Sequence, residues 1–360
     1  MDRNNSLDIV RLFAAIWAVA NHTILFMDFS PILYNLLIEM MVRFVIPYFV
    51  MLSSFFFFSA LRKGQEQFKR RILSVVKLYA VWSVIYFLSG AMVGFIKGGV
   101  SPLTVLMKSF LSFFFEGVYY HLWYFPALIY SMTICYFIYA YRRKYTMTLL
   151  GVASLLLFLL GVTGSVYYEH FGLYVPIPFI REFYKQYSFH IFRGVFCMVL
   201  PYFFMGYLLC LWCEYFNKNS ARLEQALLVI FGLLFAVESF VVAFVLKTAS
   251  RPEMQIMAAP MVFFLMLFLL KHPLSKLSVQ GNFARHMSIY IFLVHPLIIS
   301  AVQMLAGILS ISMPSVLLFS IVLTLAVISG IILSKIDIPL IRLLLGVSSP
   351  KDLKTKDIRS

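Results

Sequence analysis

The sequence predicts an all-α, polytopic transmembrane helical bundle of about ten spans, with both termini in the cytoplasm. Three observations predict it. Hydrophobic residues make up 62% of the 360-residue chain and charged residues 12%, against about 45–50% and 25% in soluble domains. Phenylalanine alone occurs 38 times, more apolar surface than a globule of this size can hide from water. Apolar runs of about 20 residues, the length that crosses a hydrocarbon core, recur along the chain with the basic residues set between them.

Taken in order, the expected spans lie near 7–27, 36–61, 72–96, 121–141, 146–166, 190–212, 225–246, 254–271, 286–306 and 314–334. They must be helices, because a bilayer cannot satisfy open backbone groups and no segment alternates like a barrel strand. The first carries His22 and lacks an Ala-x-Ala-like site after it, so it reads as a retained span rather than a cleaved signal. Segment 103–117, LTVLMKSFLSFFFEG, is apolar but short and reads as interfacial or re-entrant. The loop 167–189, with Pro176 and Pro178, is the longest external one and is placed to cover a site. No internal repeat is evident, which weighs against many transporter folds. Residues 1–334 form the transmembrane domain, and 335–360 a charged cytoplasmic tail or the start of a linker.

Lys and Arg fix the orientation. With the N-terminus inside, cytoplasmic segments hold 20 of the 30, external loops six, and the spans the other four, Arg11, Arg43, Lys77 and Arg193. The net charge of +15 is therefore spread by topology rather than gathered into a patch, which argues against nucleic acid and for anionic membrane lipids. Cys135, Cys197, Cys210 and Cys213 lie in or at the ends of apolar spans. The Cys210-x-x-Cys213 pair has no accompanying pair or His, so no metal or redox centre is expected. No Walker or Rossmann glycine pattern occurs, which excludes nucleotide hydrolysis and hydride transfer as readings.

Ionisable groups inside a bilayer are costly and usually functional. Arg11 and His22 are 11 residues apart in the first span, about three turns, so both face one way about 16 Å apart along the axis. Arg11 then stands near the cytoplasmic mouth, oriented by Asp8, and His22 near the midplane, where an imidazole suits general-base work. The plainer reading has Arg11 reaching headgroups and His22 bonding a neighbouring helix. His295, followed by Pro296, is about 13 Å deep in the ninth span and either pairs with His22 or packs. His121, with Trp123 and Tyr124, opens the fourth span as an interfacial belt or part of a site. Arg43, Glu116, Arg193 and Glu238 fall in the outer half, with Glu39 four residues before Arg43, and form either a polar acceptor cavity or a helix-locking ion-pair network. The loop RKGQEQFKRR (62–71) is a positive-inside signal or a docking patch for a phosphorylated donor.

These stretches resemble the acyltransferase-3 family, membrane O-acyltransferases of bacterial surface sugars. SLDIVRLFAAIWAVANHT carries the family's Arg-x10-His pair as Arg11 and His22. VRFVIPYFVMLSSFFFFSAL, HLWYFPAL and SIYIFLVHPLII resemble further landmarks in the expected order. The resemblance implies a ten-helix core in a bacterial plasma membrane, acetyl-CoA or another acyl-CoA as cytoplasmic donor substrate, and no permanently bound cofactor. It also implies a surface glycan or other hydroxylated acceptor. His22 would be the base, Arg11 a donor-binding or oxyanion-stabilising group, and Arg70, Arg71 and Lys77 donor contacts. Two departures stand out. The family's Arg-x-x-Arg pair is incomplete, with Lys77 the partial replacement, and a usual Gly is Ser54. RFVIPYFVML, HLWYFPAL and the charged tail also resemble the membrane domain of vancomycin-resistance-type serine/alanine racemases. That branch implies binding or uptake of a small amino acid such as L-serine, with any racemase portion beyond Ser360.

Overall fold

The computed structural model describes residues 5–62, 64–97, 102–141, 145–216, 221–246, 254–273 and 278–346. Arg3, the basic triplet 142–144 and the terminal stretch KDLKTKDIRS lie outside them. Among the described residues every regular element is helical. In chain order they are α1 (Asn5–His22), α2 (Pro31–Leu61), α3 (Gln65–Lys97), α4 (Pro102–Phe115), α5 (Tyr124–Ala140), α6 (Thr146–Thr163) and α7 (Pro178–Lys185). A 3-10 turn at Gly172–Tyr174 precedes α7, and a short helix at Tyr187–Phe192 follows it. Then come α8 (Arg193–Cys213), α9 (Arg222–Leu246), α10 (Ala258–Lys271), α11 (Ser278–Ile308), α12 (Ser315–Ser334) and α13 (Pro339–Leu344).

Seven of these, within α2, α3, α6, α8, α9, α11 and α12, are long and apolar enough to cross a membrane. They correspond to seven of the expected spans. Two further spans appear as the shorter apolar helices α5 and α10. The first is α1, whose 18 residues include Asn5, Asp8, Arg11, Asn21 and His22, which dilute its hydropathy. The short apolar segment after residue 102 is α4, 14 residues and about 21 Å long, too short to span. The protein is thus a multi-pass helical membrane protein. The chain after Ser334 continues with α13, whose fixed proline Pro339 occupies its first turn.

Among the described residues three spans contain π-helical turns, at Tyr34–Glu39, Arg193–Val199 and Val241–Leu246. Such turns insert a residue into the α ladder and bring side chains five apart onto one side.

The helices fall into two compact units. The first comprises Met1–Val45, Val76–Leu106 and Leu269–Ser360. Here α1 and α11 make the most extensive helix pair. Ser6 Oγ donates to His272 O, 3.1 Å, just before α11, and the His22 ring meets His295 further along. The two helices therefore run parallel. Small side chains (Ala14, Ala15, Ala18) lie buried along α1 and allow close approach. α12 packs back on α11. Its first N–H, on Ser315, donates to Asp28 at 2.8 Å. Tyr86 and Trp82, one turn apart on α3, donate to Leu293 O at 2.6 Å and Leu344 O at 3.3 Å.

The second unit comprises Ile46–Val75 and Met107–Phe268. Its interior is aromatic. Phe57, Phe58, Tyr202 and Phe203 are all buried, with Phe57 edge-on to both Phe58 and Phe203. In a bilayer such packing is favoured by shape and dispersion rather than by release of water, since lipid tails are as apolar as the rings. Ser54 donates to the Phe203 carbonyl. The facing residue is Gly206, where an added Cβ would stand 2.4 Å from Ser54 Cβ.

Candidate functional site

α1 runs unbroken from Asn5 to His22. Arg11 and His22 thus share a face, about 16 Å apart. At the far end the imidazoles of His22 and His295 are stacked, ring centroids 5.2 Å apart and planes 28° from parallel. His295 is fully buried.

His295 is held by the backbone of its own helix. Pro296 has no N–H and so frees only the Phe292 carbonyl one turn earlier, while α11 continues through it to Ile308. His295 Nδ1 lies 2.9 Å from Ile291 O, and Tyr86 OH donates to Leu293 O. A carbonyl only accepts, so Nδ1 carries the hydrogen. In the neutral ring the basic nitrogen is then Nε2.

A polar chain adjoins His22 within the same unit. The Tyr34 hydroxyl is 3.3 Å from both Asn21 Oδ1 and Glu39 Oε2. Glu39 forms an ion pair with Arg43. Tyr34 and Glu39 are five residues apart and delimit a π-helical turn, the geometry that brings i and i+5 together. Asn21, Tyr34 and Tyr86 were not singled out from sequence. The pattern Tyr34-x4-Glu39 is a signal only once π rather than α spacing is assumed.

The other candidates belong to the second unit. His121 is buried and meets Tyr119 and Tyr120 edge-on, at 5.8 and 5.6 Å. Trp123 packs on Gly194, where an added Cβ would be 3.4 Å from the indole. The preceding Arg193 is buried and opens the second π-helical turn. Tyr124 of the same stretch donates to Phe49 O at 3.2 Å and lies 3.2 Å from Ser53 Oγ, which ties α5 to α2. Glu116 is half-buried at the end of α4. Glu238 accepts from Tyr167 OH at 2.5 Å and from the backbone N–H groups of Ile256 and Met257, both at 2.7 Å. Three donors on one carboxylate just before α10 make it a fastening of that helix's start.

Of the expected donor contacts, Arg70, Arg71 and Lys77 are exposed along α3, and the Arg71 guanidinium lies over the Phe56 ring at 5.5 Å. No group of three or more His, Cys, Asp or Glu suited to a metal occurs among the described residues.

Residues 4–335 match the family described as an acyltransferase domain, the acyltransferase-3 family. Among curated proteins, an amino-acid racemase of Enterococcus faecalis is 24% identical over 89% of this chain and 44% of its own length. A serine/alanine racemase of Enterococcus gallinarum is 26% identical over 90% of this chain and 45% of its own length. The chain thus spans less than half the length of these curated relatives. No solved structure matches it. With the family matched across nearly every helix described above, the chain belongs to the acyltransferase-3 family of membrane acyltransferases.

Proposed function

We propose that the protein moves an acetyl or other acyl group from acyl-CoA on the cytoplasmic side to a hydroxyl of a cell-surface glycan or related acceptor, in a bacterial plasma membrane. The observation that carries the reading is the His22–His295 stack, three turns above Arg11 on one helix. His22 takes the proton of the acceptor hydroxyl as its oxygen attacks the thioester carbonyl. The tetrahedral carbon then expels the thiolate, which recovers that proton from His22 and leaves as free CoA. A neutral imidazole suits both transfers because one ring nitrogen can take a proton and give it back.

Arg11 is too far along α1 to reach a carbonyl held at His22. It suits the other end of the donor, since acyl-CoA carries its phosphates at the far end of a long pantetheine arm. Arg70, Arg71 and Lys77 are exposed cations of the kind that bind such phosphates.

His22→Ala is expected to abolish release of free CoA from acetyl-CoA by the reconstituted protein in the presence of envelope acceptor, with folding and acetyl-CoA binding retained. Turnover by purified His22→Ala at the wild-type rate would defeat the assignment. Arg11→Ala is expected to weaken acetyl-CoA binding, read by calorimetry, by about tenfold or more, the loss of one charge-assisted phosphate contact.

The racemase names of the relatives favour a second reading, a membrane domain that binds or takes up a small amino acid such as L-serine and works with a racemase domain. Labelled serine entering proteoliposomes above empty vesicles would support it. Absence of uptake under several ion gradients would count against it.

A further inference from the structure

The segment from Gly164 to Gln186 exposes several large apolar side chains that the acyltransfer reading does not use. Phe171, Leu173, Tyr174, Ile177 and Phe179 all stand outward, Tyr174 at 75% and Phe179 at 78% exposed. Its helix α7 is amphipathic. Phe179, Ile180, Phe183 and Tyr184 share one side and Arg181, Glu182 and Lys185 the other. Tyr184 faces inward and is buried, while Phe179 and Phe183 stack in parallel at 6.4 Å.

Three contacts fix the depth of this segment. The Thr163 hydroxyl, at the end of α6, lies 2.7 Å from Tyr184 OH. Gly172 sits against the Thr163 carbonyl so closely that an added Cβ would be 2.4 Å from its oxygen. A Cβ on Gly164 would meet the rings of Phe189 and Tyr184. The segment therefore lies across the last turn of α6 rather than rising into water. That helix has 18 residues, about 27 Å, close to the thickness of a hydrocarbon core. Its outward side chains Leu149, Val152, Leu155, Leu156 and Leu159 recur at helical spacing and form a lipid-facing stripe. The exposed side chains follow this stripe in the chain, in a segment held to the last turn of α6 through Gly172 and Tyr184.

We propose that residues 164–186 are a membrane-docked apron, whose aromatic and aliphatic side chains seat in the headgroup and upper acyl region of the leaflet at which α6 ends. Aromatic residues favour that boundary, and an amphipathic helix lies in its plane with its charges toward water. Arg181 and Lys185 are cations suited to lipid phosphates, while Glu169 and Glu182 bring the formal net charge of residues 164–186 to zero. The loop is thus an interfacial anchor and not a cover lifted over a site.

Nitroxide labels placed by Tyr174→Cys and Phe179→Cys test this in vesicles of phosphatidylethanolamine and phosphatidylglycerol. The four native cysteines are buried, so labelling is directed to the new sites. Leu155→Cys is the lipid-facing reference and Glu182→Cys the aqueous one. Collisions with oxygen are expected to exceed those with a water-soluble nickel chelate at 174 and 179, as at 155. Nickel access equal to that at 182 would overturn the proposal, because the loop would stand in water. Exclusion of both reagents would also overturn it, because a second copy or another protein segment would cover these side chains. Ile177→Cys gives the same reading if either variant folds poorly. No catalysis is measured, so the outcome is independent of the acyltransfer assignment.

Discussion

Asp28 stands in the short connection between α1 and α2, yet its carboxylate serves α12. The Ser315 hydroxyl donates to it, and so does the Ser315 backbone N–H. The Ser315 side chain, and next its backbone N–H, hold the Asp28 carboxyl below the usual carboxylate range. An anion at a helix N-terminus is favoured by the free N–H groups and the helix dipole. A carboxyl depressed in the folded state stabilises the fold above its unfolded pKa. That contribution fades as pH falls through the folded value. Asp28→Asn is therefore expected to lower the melting temperature at pH 7, with the difference from wild type shrinking as the pH is taken well below 4 (~3.9 being the ordinary Asp value). An equal difference at both pH values would show that the charge is not what matters. His22 and Arg11 were legible in sequence because a charge in an apolar run is conspicuous. Tyr34 and Tyr86 were not, because a tyrosine in such a run looks like packing until its hydroxyl is seen on Glu39 or on the Leu293 carbonyl.

At the scale of elements, Ser54 and Gly206 show how two helices share space. The resemblance places a glycine where Ser54 stands, and Gly206 opposite supplies the missing volume. Gly206→Ala is expected to destabilise the second unit by about 1–3 kcal/mol, the usual cost of overpacking, measured by thermal unfolding in detergent. Ser54→Gly should restore only part of the loss. The new Cβ would clear Ser54 but still stand 2.7 Å from the Met51 carbonyl. Full restoration would place the clash wholly at Ser54. The same scale separates fastening from function. Glu238, expected in an acceptor cavity, spends its carboxylate on Tyr167 and the start of α10. Glu238→Gln is therefore expected to speed proteolysis at Ile256 and Met257, just before α10, more than it changes acyl-CoA binding.

For the molecule as a whole, the count of basic residues makes a prediction that needs no side-chain geometry. A green fluorescent protein fused after Leu345 should fluoresce in cells, and alkaline phosphatase inserted at Gln186 should be active. The opposite pair of results would invert the topology and put Arg11 on the wrong side for a cytoplasmic donor. The two units also divide the expected site residues. His22, His295, Arg11, Arg43 and Lys77 fall in the first, and Arg70, Arg71, Glu116, His121, Trp123, Arg193 and Glu238 in the second.

Composition and hydropathy alone determined that this chain is a multi-pass helical membrane protein, because a bilayer leaves an apolar chain almost no other way to satisfy its backbone. They also determined that Arg11 and His22 share a face, since helical periodicity is local. Only the tertiary structure decided what meets them. The His22–His295 stack joins residues 273 apart in sequence. It depends on the parallel packing of α1 on α11. Helical period carries no information about which helix lies alongside, so no reading of spans could have chosen that partner.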